Sequence, residues 1–595
     1  MIKPFFSLCL IVAVGFSNRI EAQVVTSLDT EVRDVSELHI GFNRRSDNGT
    51  WWTDNSFIDL VEDMDPDVVR YPAGTQANYW DWSTGQFIPN TDKVWGNKEI
   101  VTISTFLNAL PTRTKAIYVL NMARPTPVTG VDVNASEQML KSDTTLALKI
   151  EDMLNALSEF EANGKLPFAV ELGNEYYFGN IESGIYQIVQ ENGQFYSGWD
   201  FETNTPFESA TKADATEISA LFYLEHCKAI VTAIKTEYPE MKIALTTTKG
   251  GTPARDRWNN TIFNNLENNI EFTTLAAEID AVTQHHYLNA NYGVQDEIIN
   301  VASAKVTIAE GIQYPIDKQS DYNLVPDNYK IWYTEYGEVK EIAEETWASA
   351  VRYVALIYSW LNLGEKVEQL YWHYISDNNV VNAASPMKLA PVGMAQKLIA
   401  DATVDMDEMQ KINFETNPIS VNGIESLFGL KFKNAEKETL LIININNIDF
   451  DEVDLDNLLT YSGVRNLTQY QSLQPYISGV ADGDSNILTS TSTVGASFMA
   501  GQFSISLIEV QNTLGVKESL ISELSVYPNP VNDQLNLKCP NPIKSLHIYD
   551  MTGAKIYSND HFFEDTVNVS QLLKGMYVLK VETENGVQFL KIIKK

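Results

Sequence analysis

Residues 37–400 alternate between two hydrophobic patterns. Apolar runs that end in polar residues are typical of buried parallel strands, and eight occur here, at 37–43, 67–71, 115–121, 167–175, 242–248, 279–287, 329–335 and 367–375. Amphipathic stretches of helical period lie between them, as at 144–163, 214–237 and 344–363. Eight strand–helix units predict an α/β fold, a (β/α)8 TIM barrel. The alternative is a doubly wound open sheet, but that fold needs a glycine-rich phosphate turn after its first strand, and GFNRRSDNG at 41–49 is not one.

The chain changes character after residue 402. All 11 tryptophans lie between Trp51 and Trp372. The following region shows short alternating runs at 427–433, 439–447, 467–474 and 502–511, which are typical of a β-sandwich. We therefore predict a barrel over 23–402, a β-sandwich over 403–515 and a small all-β module over 516–595.

Charge supports the last boundary. The 595 residues carry a net charge of −35, which argues against a nucleic-acid partner. Residues 521–595 hold eight lysines and eight acidic residues, so the negative charge belongs to the rest of the chain. Only 3 cysteines occur, which excludes a disulfide scaffold.

The first 22 residues have the pattern of a secretory signal peptide. Lys3 supplies a positive end, residues 5–16 are apolar, and Ala22 ends a weak small-residue cleavage site. A retained anchor is the alternative. No later apolar run is long enough to predict a membrane span.

Two predicted strands end in a carboxylate, Glu175 after the fourth and Glu335 after the seventh. Barrel enzymes carry their chemistry at these strand ends, and two carboxylates across a cleft can cleave a glycosidic bond. Two solvent-facing acids are the plain alternative. Glu171 and Glu338 compete for the catalytic roles, but Glu171 lies lower on its strand and Glu338 lies beyond a strand end.

Three motifs resemble those of clan A retaining glycoside hydrolases: RYPAG at 70–74, VELGNEYYF at 170–178 and WYTEYGE at 332–338. The first is similar to the second-strand motif of the heparanase/β-glucuronidase and α-L-arabinofuranosidase families, which also join a barrel to a β-sandwich. Tyr176-Tyr177 departs from the heparanase group, which favours Pro-Asn there.

The resemblance implies roles for six residues. Glu175 would be the general acid/base and Glu335 the nucleophile. Asn174 would bind the substrate 2-hydroxyl, and Arg70 would hold the nucleophile ionised. His285 and Tyr287 share a face of the sixth strand and would orient the nucleophile; His286 fits core packing about as well as the site. No cofactor is implied.

Further substrate contacts are expected from strand ends and the loops after them. The site residues expected there are Asn121, Arg124, Tyr176 and Trp372. Aromatic faces bind sugars, so several tryptophans are candidate stacking residues, with packing inside the loops as the alternative. These tryptophans are Trp51, Trp52, Trp80, Trp82, Trp95, Trp199, Trp258 and Trp372. Arginines that could bind an anionic sugar, or form internal salt bridges instead, are Arg44, Arg45, Arg70, Arg124, Arg255 and Arg257.

Other chemistries fit less well. No histidine or cysteine cluster has metal-ligand spacing, so no metal is expected. A Ser/His/Asp mechanism lacks its G-x-S-x-G turn. Cys227 and Cys539 are far apart in sequence and are expected to be free thiols.

The last segment contains VYPNPVNDQLNLK, SLHIYDMTGAKIY and GMYVLKVETENGVQFLKIIKK. It resembles the C-terminal sorting domain of the Bacteroidetes type IX secretion system, which implies a secreted or outer-membrane surface protein that meets that machinery. The sequence thus predicts a secreted retaining glycoside hydrolase acting on a polysaccharide or oligosaccharide, one that carries uronic acid or sulfate if the arginines bind substrate. The alternative is a catalytically silent glycan-binding surface protein on the same fold.

Overall fold

The computed structural model describes residues 19–20, 23–44, 51–78, 80–87, 101–122, 146–179, 188–200, 205–288, 298–338, 345–376, 378–512, 524–539, 542–550, 553–559, 565–583 and 586–595. The predicted signal peptide lies outside them except for Arg19–Ile20. The chain forms two compact units, residues 1–511 and 512–595.

A closed barrel of eight parallel strands forms the centre of the first unit. The strands are β1 His39–Asn43, β2 Val68–Tyr71, β3 Lys115–Val119, β4 Ala169–Leu172, β5 Lys242–Thr246, β6 Ala281–Leu288, β7 Lys330–Glu338 and β8 Val367–Trp372. β8 pairs with β1 through Gln369–His39 and Trp372–Phe42, which closes the ring. The predicted TIM barrel is therefore confirmed, and a doubly wound sheet is excluded.

One main helix follows each strand. These helices are α1 Asn55–Met64, α2 Ile103–Ala109, α3 Leu146–Ala162, α4 Lys212–Glu237, α5 Pro253–Asn268, α6 Val301–Asp317, α7 Trp347–Leu361 and α8 Pro391–Thr403. Two shorter helices, Thr273–Glu278 and Gln319–Leu324, precede β6 and β7. Small and large side chains together fill the barrel interior: Val68, Ile117, Ala169, Ala244, Ala281, Trp332 and Tyr371.

The segment between β4 and α4 adds a small antiparallel sheet. Its strands are Val189–Glu191, Gln194–Asp200 and Thr205–Ser209. The other barrel segments contain only short two-stranded pairs, Trp80–Asp81 with Gln86–Phe87 and Val381–Asn382 with Lys388–Leu389, among the residues described.

A β-sandwich follows the barrel. Its larger sheet is ordered Thr26–Leu28, Glu408–Phe414, Leu427–Lys433, Lys437–Asn444, Ile505–Gln511, Arg465–Gln471 and Leu488–Val494, and Arg33–Asp34 also pairs with Glu408–Phe414. The smaller sheet contains Arg19–Ile20, Asp449–Asp454 and Ser497–Ala500. Residues 26–34 thus add to the sandwich, although the sequence pattern placed all of 23–402 in the barrel.

Helix α7 joins the barrel to the sandwich within one hydrophobic core. All of its side chains are buried. The Trp347 indole donates to the Phe503 carbonyl at 2.6 Å, and Tyr358 packs edge-on against Phe428 at 5.1 Å between ring centroids. Because α7 is covered on both sides, apolar residues occur around most of its circumference.

The second unit is entirely β. One sheet contains Ser525–Tyr527, Gln534–Lys538 and Thr566–Asn568; the other contains Lys555–Asn559, Ile543–Asp550, Gly575–Thr583 and Gly586–Lys594. Its core is its own and includes Val531, Leu535, Ile548 and Leu579. No described helix of the chain is long and apolar enough to cross a membrane.

Candidate active site

Glu175 and Glu335 lie together at the carboxyl end of the barrel. Glu175 follows β4, and Glu335 lies within β7. One carboxylate oxygen of each and a ring nitrogen of His285 all lie within 4.8 Å of one another. Residues that are 160 positions apart in sequence therefore form one cluster.

The Glu335 carboxylate is surrounded by donors. Arg70 Nη1 donates to Oε1 at 2.7 Å, and the Tyr287 hydroxyl donates to Oε2. Burial alone would raise the pKa of Glu335, but the charges of His285 and Arg70, with smaller contributions from His373 and Tyr287, lower it to about 2. This carboxylate is ionised at neutral pH.

Arg70 is fully buried and binds several side chains. Its Nε and Nη2 donate to the two oxygens of Glu171 at 2.7 and 2.8 Å. Nη2 also donates to Asn174 Oδ1 at 2.8 Å, and Nη1 reaches Glu335. Glu171 is therefore an anchor for Arg70 and not a free acid in the cleft.

Glu175 has a more open environment than Glu335. Its side chain is 18% exposed, against 7% for Glu335. The Tyr177 hydroxyl donates to Oε1 at 2.9 Å, and His285 Nδ1 lies 2.8 Å from the same oxygen. The Glu175 backbone is in the left-handed region at φ 52°.

His285 connects the two glutamates. Nδ1 lies 2.8 Å from Glu175 Oε1 and 3.5 Å from Glu335 Oε2, and Nε2 is 3.1 Å from the Thr334 hydroxyl. Burial lowers the pKa of His285, but the charges of Glu335 and Glu175 outweigh it and raise that pKa above its ordinary value. His286 points elsewhere, packs against Tyr333 and Trp360, and is not part of the site.

Asn174 combines a fixed acceptor with an unused donor. It is 1% exposed, and its Oδ1 is bound by Arg70. Among the described residues, no acceptor lies within hydrogen-bonding distance of Nδ2. A buried donor without an acceptor is costly, so a ligand oxygen would suit this position.

Gly74, in the loop after β2, lies against the Glu335 carboxylate. A Cβ at this position would come within 2.0 Å of Glu335 Oε1. Only a glycine therefore allows the loop to approach this closely.

Two of the predicted substrate residues are corrected. Trp372 is 1% exposed and packs against Tyr336 and Tyr353 at 5.5 and 5.2 Å between centroids. Tyr176 is fully buried against Tyr223. Both rings fill the core and cannot stack on a sugar, since close packing covers their faces.

The other tryptophans divide in the same way. Trp52, Trp80 and Trp258 are buried, while Trp51 and Trp82 are partly buried. Trp95 and the Trp199 side chain lie outside the described residues. With Trp372, four of the six predicted stacking residues whose side chains the structure describes are therefore core residues.

Asn121 is 9% exposed and donates from Nδ2 to the Trp80 carbonyl at 2.9 Å. The described contact thus positions the loop that contains Trp80. Arg124, Arg45 and the Glu338 side chain lie outside the described residues.

The remaining arginines differ in their partners. Arg44 is buried, with its guanidinium over the rings of Trp52 and Tyr71 at 5.3 and 5.6 Å. Arg257 forms a salt bridge with Glu217. Arg255 lies over Tyr177 and Phe178 at 5.7 and 5.1 Å.

The sequence reasoning missed two residues that lie against the carboxylates, Tyr177 and Gly74. Two adjacent tyrosines carry no signal that distinguishes the one facing the carboxylates, and a glycine has no functional group that would mark it as part of a site.

A metal is a poor fit to the cluster. Glu175, Glu335 and His285 offer ligand atoms at suitable spacing. However, Arg70 places a fixed positive charge 2.7 Å from Glu335 Oε1, and this charge would repel a cation.

Solved structures share the fold. An arabinofuranosidase structure has a TM-score of 0.54 and 14% identity and covers 82% of this chain and 100% of its own. An α-L-arabinofuranosidase from Thermotoga maritima, in complex with arabinose, gives 0.52 and 14% with the same coverage. The GH51 arabinofuranosidase from Xanthomonas axonopodis pv. citri gives 0.54 and 11%, again with 82% and 100%.

Among curated proteins, no sequence matches the chain. Residues 525–595 match the family described as the secretion system C-terminal sorting domain. The predicted sorting module is thus confirmed, in agreement with the separate core of the second unit. The chain therefore combines a barrel and β-sandwich similar to those of arabinofuranosidase structures with a type IX sorting domain, which marks it for the extracellular space or the cell surface.

Proposed function

We propose that this protein is a secreted glycoside hydrolase that cleaves polysaccharides or oligosaccharides with retention of configuration. One observation carries the proposal: two carboxylates with oxygens within 4.8 Å of each other, in unlike environments. Retaining enzymes place their carboxyl groups about 5–5.5 Å apart, which leaves no room for a water between them and the sugar.

Glu335 acts as the nucleophile. Its carboxylate is ionised and oriented by Arg70 and Tyr287, so it can attack the anomeric carbon. The attack forms a covalent glycosyl-enzyme and releases the leaving oxygen. Arg70 is held in turn by Glu171, which fixes its direction.

Glu175 acts as the general acid and then as the general base. In the first step it gives a proton to the leaving oxygen. Once Glu335 is esterified, its negative charge is lost, and Glu175 can take a proton from water. Tyr177 and His285 hold the Glu175 carboxyl in place throughout.

Asn174 binds the sugar. Its Nδ2 donor lies next to the Arg70–Glu335 pair and has no acceptor among the described residues. A hydroxyl of the sugar next to the anomeric carbon would satisfy it, and this bond would strengthen in the transition state.

Replacing each glutamate should impair a different step of the reaction, and this difference tests the proposal. A panel of 4-nitrophenyl glycosides first identifies a cleaved sugar. Glu335→Ala should then lower kcat by roughly 10⁴-fold or more, since no intermediate can form. Glu175→Ala should keep much of the first step, because nitrophenolate leaves without a proton, and added azide should restore turnover with a retained product.

Glu271→Ala is a matched control, because among the described residues the side chain of that exposed glutamate pairs with Lys228 alone, at the surface. It should leave kcat unchanged. Full activity in the Glu335 variant would overturn the proposal. Absence of hydrolysis on every glycoside, combined with binding of a glycan, would favour a silent glycan-binding protein instead.

A further inference from the structure

We propose that Arg255 and Lys249, at the carboxyl end of β5, bind a carboxylate or sulfate group on the sugar that leaves during cleavage. The inference rests on the proposed function, because it uses Glu175 to define the leaving-group side. It adds a site that selects the substrate and that is separate from the cleavage chemistry of the two glutamates.

Arg255 is a cation without a described counterion. It lies in the first turn of α5 and is half-buried. Its guanidinium covers the rings of Tyr177 and Phe178, and no carboxylate of the described chain lies within ion-pairing distance. Arg257, two residues later, forms a salt bridge with Glu217. Of these two arginines, Arg255 is therefore the one whose positive charge is not paired with a described carboxylate.

The contacts of Tyr177 locate Arg255 relative to the general acid, Glu175. Its hydroxyl is 2.9 Å from Glu175 Oε1, and the Arg255 guanidinium is 5.7 Å from its ring centroid. Arg255 is therefore one side chain away from the general acid. The positive charges that act on Glu335 are instead those of His285, Arg70 and His373.

The general acid lies next to the leaving oxygen, because it must protonate that atom. Groups beyond Glu175, on the side away from Glu335, therefore face the leaving sugar. Arg255 is reached from Glu175 across the Tyr177 ring, and the proposal places its guanidinium on that side, next to an acidic group of the leaving sugar.

Lys249 adds a second cation to the same region. It is half-buried, and no described carboxylate lies within ion-pairing distance. Burial lowers its pKa, and so do the neighbouring charges of Arg255 and Lys318, while Asp321 and Glu175 oppose the effect. Two half-buried like charges are unfavourable together, and an anion between them would relieve their repulsion.

The nearby acids are already engaged. Asp256 Oδ1 accepts the Gly251 N–H at 3.0 Å. Asp321 is buried and close to Lys318 and the Gly250 backbone. Neither reaches Arg255 or Lys249 within ion-pairing distance, so the two cations keep their capacity for a ligand.

Binding can be measured on full-length Glu335→Gln, which should hold substrate without cleaving it. Calorimetry with three hexasaccharides distinguishes the two kinds of anionic group. An oligogalacturonate carries carboxylates, a carrageenan fragment carries sulfates, and xylohexaose is the neutral comparison. We expect at least one anionic hexasaccharide to bind more tightly than the neutral one, and its affinity to fall as the salt concentration is raised.

Adding Arg255→Met or Lys249→Met should weaken that binding roughly tenfold. The added control Arg257→Met should change it by less than about twofold, since Glu217 already occupies that arginine. Melting temperatures of the variants verify that they are folded. Two independent variants keep the test valid if one of them fails to fold.

Three results would overturn the inference. The protein could prefer the neutral oligosaccharide, it could bind neither anionic oligosaccharide, or its binding of an anionic oligosaccharide could remain unchanged in both variants. The proposed function fails separately, through hydrolysis that does not depend on Glu335. The native protein could also bind an anionic oligosaccharide through Arg255 and yet hydrolyse no glycoside. That result would support the binding site and contradict the proposed enzymatic function.

Discussion

At the scale of single residues, neighbours give two glutamates different properties. Glu335 accepts bonds from Arg70 and Tyr287 and is nearly buried. Glu175 contacts His285 and Tyr177 and is more open to solvent. One carboxylate is thus held as an anion by two donors, while the other lies at a more open position of the cleft.

Tyr287→Phe tests the anionic state of Glu335. Burial raises the pKa of Tyr287 well above its ordinary value, so its hydroxyl remains a donor across the working range. Without that donor, the pKa of Glu335 rises from about 2. We expect kcat to fall about tenfold and the acid limb of the kcat/KM profile to move to higher pH. An unchanged profile would contradict the assigned role of the hydroxyl.

Alternation along a strand predicted several of these contacts. His285 and Tyr287 are two residues apart in β6, and both reach the Glu175–Glu335 pair. The same reasoning failed after Glu175. Its positive φ turns the chain, so that Tyr177 reaches the site and Tyr176 enters the core, and no sequence pattern distinguishes two adjacent tyrosines in such a turn.

At the scale of elements, the loop after β2 reaches the nucleophile through Gly74. Gly74→Ala would place a Cβ about 2.0 Å from Glu335 Oε1, so the carboxylate must move. We expect kcat to fall about 100-fold, since small displacements of reacting groups are costly, with little change in melting temperature. Gly495→Ala is the control, because no atom of the described chain lies within 4 Å of the position that its Cβ would take. Equal activity of the two variants would contradict this account.

Helix α3 carries a lysine that the proposed mechanism does not use. Lys149 is 1% exposed, and Nζ has no hydrogen-bond partner among the described residues. Burial lowers its pKa from 10.5 to about 7. The folded state therefore binds fewer protons than the unfolded state between these values, and stability rises with pH across that window.

Lys149→Met should remove this cost. Below about pH 7 we expect the free energy of unfolding to rise by a few kcal/mol, and the gain should shrink as the pH approaches about 10. Lys149→Arg should do the opposite, because arginine cannot lose its proton. Thermal melts at about pH 6 and about pH 9.5, on either side of the folded-state pKa, would measure both effects; a gain that is independent of pH would point to packing alone.

The elements of the barrel were largely readable from sequence, because buried parallel strands are short, apolar and bounded by polar residues. β1 to β8 each begin within two residues of the predicted start. Pairing of Thr26–Leu28 and Arg33–Asp34 with Glu408–Phe414 was not readable. These partners are far apart in sequence, and a two- or three-residue strand carries too little pattern to specify its partner.

At the scale of the whole molecule, the two units have separate cores and different charge. Residues 521–595 are balanced in charge, and the acidity of the protein lies before them. The core of the sorting domain thus contains no residue of the barrel.

A chain that ends after Gln511 should therefore keep its melting temperature within a few degrees and its kcat within about twofold, because the core of the first unit contains no residue of the second. Calorimetry and the nitrophenyl glycoside assay measure these quantities. In the producing cell, the same deletion should stop export to the surface. Unfolding of the shortened chain would show that the units depend on each other.

The left-handed backbone at Glu175 has a consequence for engineering. Holding a side chain larger than glycine at such a φ costs about 1 kcal/mol or more. Programs for thermostabilisation, which replace strained residues by Gly or Asn, would therefore rank this position among the first to alter. Under the proposed mechanism, the resulting variant would be more heat-resistant but inactive, so Glu175 belongs among the positions that such a campaign should leave unchanged.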